Sequence, residues 1–285
     1  MPAAAQPQAF FLPRPQGQRL CIHHPAQGAA PRAAVVYVHP LLEEMNKSRR
    51  MAALQSRRLA QAGCAVLQID LLGCGDSSGD FADATWEAWI DDVLAAAQWL
   101  EERTAAPLWL WGLRAGGLLA TAAAARTTRP VNLLLWQPVV RGQVALQQLL
   151  RLKSAAQLLE GGGKSAIQQL RQQLAAGQAV DIAGYALSPA LAQALEQARL
   201  APSANVERLE WIELSSGGPE GAEAQADLAP ASRQALAAWQ AGTCRVRSRV
   251  VPGAAFWQTV EIAEAPALLD ATLQAIASQP AMAAA

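Results

Sequence analysis

Three histidines, His23, His24 and His39, make up the whole imidazole supply of the 285-residue chain, and all lie before residue 40. Acid–base chemistry that needs imidazole at neutral pH must therefore use one of them. Ser77 sits in Gly75-Asp76-Ser77-Ser78-Gly79, which satisfies the G-x-S-x-G spacing that can lift a serine hydroxyl out of a strained turn for acyl transfer. Cys74 lies three residues earlier. A dyad of Ser77 or Cys74 with His39 is conceivable, but the context of Ser77 opposes it. It follows a strand ending at Asp70, several residues run before the next helix, and no downstream histidine completes the order Ser, acid, His. His39 is instead expected to pack under its loop with one ring nitrogen bonded to backbone. The His23-His24 pair should send its rings to opposite faces of an edge strand, so no metal pair is expected. Cysteines 21, 64, 74 and 244 show no C-x-x-C spacing, which leaves buried thiols in a reducing compartment rather than a zinc site or disulfide framework. Gly73-x-Gly75-x-x-x-Gly79 echoes a dinucleotide fingerprint. It lies far from an opening βαβ unit, and the next strand ends in Trp-Gly rather than an acid, so no cofactor is expected.

The elements that must position these residues alternate. Short apolar runs at 33–39, 64–70, 107–111, 131–136, 208–214 and 245–251 read as strands. Helix-period segments lie near 48–62, 84–103, 114–127, 229–241 and 261–278, which points to a mostly parallel sheet covered on both faces. Runs 8–13 and 18–23 could form an antiparallel hairpin at one edge. Asp83 and Thr85 precede the stripe Trp86, Trp89, Ile90, Val93, whose spacing turns one helix face to the core. The tryptophans at 86, 89, 99, 109 and 111 are expected on buried faces. Residues 142–200 break the pattern: they are rich in Gln and Ala, helical in period, interrupted by Gly161-Gly162-Gly163, and hold no convincing strand. Such an insertion between strands is expected to form a helical cap over their carboxyl ends, on a core made of 1–141 and 201–285. The tail 279–285 is expected to fray.

Composition closes off other functions. With 23 basic and 23 acidic side chains the formal charge is zero, which lacks the basic excess a nucleic-acid partner requires. The N-terminal MPAAAQPQAF has neither a basic nor an apolar signal region, and no stretch approaches the roughly 18 apolar residues of a membrane span. A soluble, cytoplasmic protein is expected.

Three segments stand in the order in which α/β-hydrolases carry their working parts. His39-Pro40 ends the first long buried strand, Asp70-Leu71-Leu72-Gly73-Cys74-Gly75-Asp76-Ser77 follows the next, and Trp111-Gly112-Leu113-Arg114-Ala115-Gly116-Gly117 joins a strand to a helix. The chain resembles that superfamily. Longer stretches, HPLLEEMNKSRRM (39–51), LQIDLLGCGDSSGDFADATWEAW (67–89), LWLWGLRAGGLLA (108–120), LLLWQPVVRG (133–142) and FWQTVEIAEAPALLDATL (256–273), resemble hydrolase 2 of the exosortase A system, a group whose genes accompany PEP-CTERM sorting and exopolysaccharide production. The resemblance implies an eight-stranded α/β-hydrolase fold and a nominal hydrolase of ester, thioester or amide bonds.

Under that resemblance the usual machinery is missing. The nucleophile position holds Arg114, whose guanidinium stays protonated and cannot attack a carbonyl. The base would follow the last strand, where the chain reads Val250 to Trp257 without histidine, and Glu220 is the nearest acid in the preceding loop. Pro40 also removes an N–H from the loop that would supply oxyanion donors. Arg114 would sit at a helix N-terminus, where an anion is favoured. Either Glu43 or Glu44 folds over and neutralises it, or its donors hold a carboxylate, phosphate or acidic sugar under the cap. Glu43, Glu44, Asn46, Arg49 and Arg50 are read as one crowded loop. Gln137, ending the strand after the elbow helix, and Trp257 complete the expected pocket, suited to a glycan or acyl ligand.

Overall fold

A computed structural model describes residues 6–28, 30–159, 166–215 and 227–277. The Gly161-Gly162-Gly163 interruption, Glu220 and the 279–285 tail lie outside the described residues. An antiparallel hairpin of β1 (Gln8–Arg14) and β2 (Gly17–His24) opens the chain. There follow β3 (Ala33–Val38), α1 (Glu43–Gln61), β4 (Cys64–Ile69), α2 (Trp86–Glu101), β5 (Leu108–Leu113), α3 (Gly116–Ala124) and β6 (Val131–Trp136). The inserted segment holds α4 (Gly142–Leu159), α5 (Ala166–Ala175), β7 (Val180–Ile182), β8 (Tyr185–Leu187) and α6 (Pro189–Gln197). The chain then forms β9 (Val206–Ser215), α7 (Pro230–Gln240), β10 (Arg245–Pro252) and α8 (Pro266–Ala277).

Eight strands make one sheet in the order β1-β2-β4-β3-β5-β6-β9-β10. From β4 to β10 every pairing is parallel; β2 runs antiparallel to both neighbours. β3, β5 and β6 are buried along their whole length, as the middle of a parallel sheet covered on both faces requires. Trp89, Ile90 and Val93 of α2 join Leu118 of α3 and Trp239 of α7 on one face, while Met51 and Leu59 of α1 meet Leu268 and Leu269 of α8 on the other. Thr85 caps α2, its hydroxyl accepting from Ala88 N–H at 3.1 Å. The strand–helix alternation points to this mostly parallel sheet covered on both faces, and the eight-stranded α/β-hydrolase fold is the one the resemblance implies.

The structure corrects four local readings. The edge strand is β1, so His23 and His24 lie on an interior strand. Their rings do take opposite faces: His23 meets Trp99 edge-on, and His24 lies beside Gln68. Trp99 is only partly buried, stacked on Phe10 with the Arg103 guanidinium 3.8 Å from its ring centre. The inserted segment contains the β7–β8 hairpin. Its two-residue turn, Ala183-Gly184, has φ of 51° and 86°, the left-handed pair that a tight hairpin needs, and alanine there hides the usual Asn-Gly or Asp-Gly signal. Finally, Glu43, Glu44, Asn46, Arg49 and Arg50 stand on the first two turns of α1 rather than in a loop, with both glutamates in the first turn where the helix dipole favours acids.

Burial pushes the His24 imidazole down to about 4, with Arg57 and His23 adding to the shift. The unfolded chain takes up that proton near pH 6.5. The stabilisation is therefore complete above that pH and is lost as pH falls through 6.5 toward 4, on the order of 3 kcal/mol for a shift of this size before any solvent screening. Urea denaturation at pH 7 and 4.5 should show this loss, and His24→Gln should lessen it, the remainder coming from His23 and His39, whose pKa values burial also lowers; an equally steep loss in the variant contradicts the assignment.

Candidate functional site

Arg114 lies between the end of β5 and the start of α3 in the left-handed region, with φ of 55°, a conformation that costs a non-glycine residue free energy. The surroundings enforce it. Arg114 N–H donates to Trp136 O at 3.0 Å, and Arg114 O accepts from Gly117 N–H at 3.1 Å and Val139 N–H at 3.3 Å. The flanking glycines cannot carry side chains: a Cβ on Gly112 would stand 2.6 Å from Gly117 Cα, and one on Gly116 2.4 Å from Val38 O. The strained strand–turn–helix backbone of a nucleophile elbow is present, with an arginine at its tip.

Arg114 is 8% exposed, and its guanidinium is held on three sides. Nε donates to Glu44 Oε1 at 3.4 Å, Nη1 to Gln137 O at 3.4 Å, and Nη2 to Gln148 Oε1 of α4 at 3.0 Å. Its central carbon lies 5.3 Å from the Trp257 ring centre. Burial raises the Glu44 carboxyl above the usual range, and the charge of Arg114 opposes that rise. Glu43 makes no bond to Arg114; it lines the neighbouring cavity. Asn46 faces elsewhere and donates to Tyr185 Oη at 3.0 Å, tying α1 to β8. Gln137, with φ of 40°, uses its side-chain oxygen to accept from Leu214 N–H at 2.7 Å, which fixes the end of β6 against β9.

His39, Cys74 and Ser77 do not assemble. Leu71 N–H donates to His39 Nε2 at 3.3 Å, so the proton of the neutral ring belongs on Nδ1, which donates to Pro40 O at 2.7 Å. Both nitrogens are thus spent on backbone, and burial lowers the pKa of the ring. Ser77 Oγ donates to Asp70 O at 2.6 Å and accepts from Leu20 N–H at 2.9 Å. Cys74 is buried, its thiol pushed up to about 12, chiefly by desolvation, which removes the thiolate a nucleophile needs. The turn itself is architectural. Arg49 grips the Asp70 carboxylate at 3.2 and 2.9 Å, and a Cβ on Gly75, whose φ is 56°, would overlap that carboxylate.

Trp257 occupies the segment after β10 where the base would stand; it is nearly fully buried and packs edge-on to Phe256 at 5.0 Å. One acid close to the elbow has no counterpart among the sequence candidates. Glu213, near the end of β9, is buried and accepts from Trp211 Nε1 at 2.8 Å and Ala229 N–H at 3.2 Å. Its signal was a carboxylate set between Ile212 and Leu214 in a strand-forming run, where a buried ionisable side chain needs partners.

Two cavities meet at the elbow. One of about 570 Å³ is mostly apolar, lined by Leu41, Leu42, Leu149, Leu152 and Trp257, with Lys47 and Arg151 among its polar residues. The other, of about 660 Å³, is lined by Arg114, Gln137, Arg141, Arg199 and Glu213. Val139 and Gln148 line both, so the bond from Arg114 to Gln148 lies where the two adjoin. Among the described residues no group of three or more His, Cys, Asp or Glu could hold a metal, and no helix is long and apolar enough to cross a membrane.

Several solved structures share this fold at low identity. An α/β serine hydrolase without lid from Xanthomonas campestris aligns with TM-score 0.54 and 18% identity over 96% of this chain and 94% of that one. A proline iminopeptidase-related protein from Thermus thermophilus aligns at 0.59 and 16% over 96% and 98%. A thermostable carboxyl esterase from Bacillus coagulans aligns at 0.58 and 15% over 87% and 91%. No curated protein matches the chain. Residues 29–199, which carry the Asp70–Ser77 turn, the arginine-tipped elbow and the inserted segment, match the hydrolase family described as serine aminopeptidase, S33, and the chain belongs to that family.

Proposed function

We propose that this protein has kept the α/β-hydrolase fold as a non-catalytic binding protein, and that it is a member of the hydrolase 2 group of the exosortase A system. The observation that carries the reading is Arg114, a residue without nucleophilic capacity, at the tip of an intact elbow and bonded to Glu44 and Gln148. The absence of histidine after residue 39 removes the second half of the same mechanism. His39, Ser77 and Cys74 offer no replacement, since each is committed to backbone bonds or burial. Family membership supplies the scaffold, and the reaction has to be argued from the site.

In this reading segment 142–200 is the cap, and the ligand lies beneath it in the cavities beside the elbow. An apolar chamber with a few convergent polar groups is the usual form of a small-molecule site. Four cysteines without a disulfide partner support a reducing, cytoplasmic setting in this reading. Intact-mass analysis after treatment with a fluorophosphonate probe tests the non-catalytic claim. The expected result is no mass increase on the native protein. A stoichiometric adduct that disappears in Ser77→Ala would overturn it.

A further inference from the structure

Arg141 and Arg199 face one another across an isolated antiparallel bridge that joins the start of α4 to the chain just after α6. The flanking bonds run from Gly142 N–H to Ala198 O at 2.9 Å and from Leu200 N–H to Val140 O at 3.0 Å. Those bonds belong to the neighbouring residues, so the arginines form a non-hydrogen-bonded pair. In that arrangement Cα atoms approach to about 4.5 Å and the two side chains leave the same face. Gly142 permits the approach: a Cβ there would stand 1.6 Å from Leu195 O.

Like charges placed directly opposite each other are destabilising, and both arginines are exposed, so water screens part of that repulsion. Among the described residues neither guanidinium meets a carboxylate. Arg141 has no side-chain partner there, and Arg199 uses only Nη1, which donates to Glu196 O at 2.7 Å and Ala198 O at 2.8 Å. Both arginines line the 660 Å³ cavity. The acid in that wall, Glu213, is already engaged by Trp211 Nε1 and Ala229 N–H, and Arg114 is engaged by Glu44 and Gln148. The remaining polar lining, Gln137, Ser232 and Gln234, can donate to or accept from hydroxyl groups.

We infer that Arg141 and Arg199 form the anion site of this protein, binding the phosphate or carboxylate of a polyhydroxylated ligand whose body fills the cavity beside the elbow. This inference rests on the binding reading of the fold and moves the anion from Arg114 to the bridge between α4 and α6. Planar guanidinium groups offer paired donors to such an anion.

Isothermal titration with glucose 1-phosphate, glucuronate and glucose tests it. At least one of the two anionic probes should bind, with affinity falling as salt is raised, and glucose should not. The double variant Arg141→Gln/Arg199→Gln should weaken that binding by at least about tenfold while melting no lower than the native protein. The inference is overturned if neither anionic probe binds, if glucose binds as well as they do, or if the double variant binds unchanged. A fluorophosphonate adduct would contradict the non-catalytic reading and leave these titrations standing, so the two failures can be told apart.

Discussion

Asp92→Ala should cost about 3–5 kcal/mol of folding stability, the range for removing one partner of a buried ion pair. Asp92 sits on α2 almost wholly buried, where Oδ2 accepts from Arg19 Nε at 2.7 Å and from Leu72 N–H at 2.9 Å, and Oδ1 lies 3.4 Å from Arg14 Nε. Arg19 is 1% exposed, so the variant leaves an uncompensated cation inside the protein. It also frees the backbone of the turn after β4, whose Leu72 carbonyl receives Trp89 Nε1 at 2.9 Å. Denaturant melts measure the loss, and Arg19→Met combined with Asp92→Leu should recover most of it, because apolar replacement of a whole buried pair is commonly neutral or better. A loss below about 1 kcal/mol in Asp92→Ala would show that this pair is not what holds β2 and α2 to the turn.

Gly116→Ala should cost about 3 kcal/mol, at the upper end for overpacking, since a new Cβ would meet backbone that cannot rotate away. It would stand 2.4 Å from Val38 O and 2.5 Å from His39 O, at the end of β3. The elbow would have to part from the sheet, taking Arg114 and its bonds to Glu44 and Gln148 with it. Gly177→Ala is the matched control: its φ of +80° strains alanine, but nothing lies within 4 Å of the new Cβ, so about 1 kcal/mol is expected. Equal losses in the two variants would mean that the elbow backbone is not tightly held.

The central sheet is legible in the sequence because its middle strands β3, β5 and β6 are almost continuously apolar and buried and its helices carry a regular buried stripe, as with Trp86, Trp89, Ile90 and Val93 on α2. Short-range irregularities are not. The β7–β8 hairpin is formed by two three-residue strands and an Ala-Gly turn, too little for alternation to register. The start of α1 is hidden because the helix begins on two glutamates after Leu42, with no capping side chain to mark it. For the site, the residue at the elbow tip can be read directly, whereas its partners depend on which helix face each residue occupies. Glu44 reaches Arg114, Glu43 a residue earlier does not, and Gln148 enters from a helix more than thirty residues away in sequence. The pairing of Arg141 with Arg199 depends on how α6 returns to α4, which no local pattern encodes.

Turnover of p-nitrophenyl acyl esters by the native protein, beside Ser77→Ala and Cys74→Ala, tests the central claim most directly. With Arg114 bonded to Glu44 and Gln148 at the elbow and no histidine after residue 39, all three proteins should hydrolyse the esters at the same rate as buffer. Saturable turnover by the native protein that is lost in either variant would contradict it.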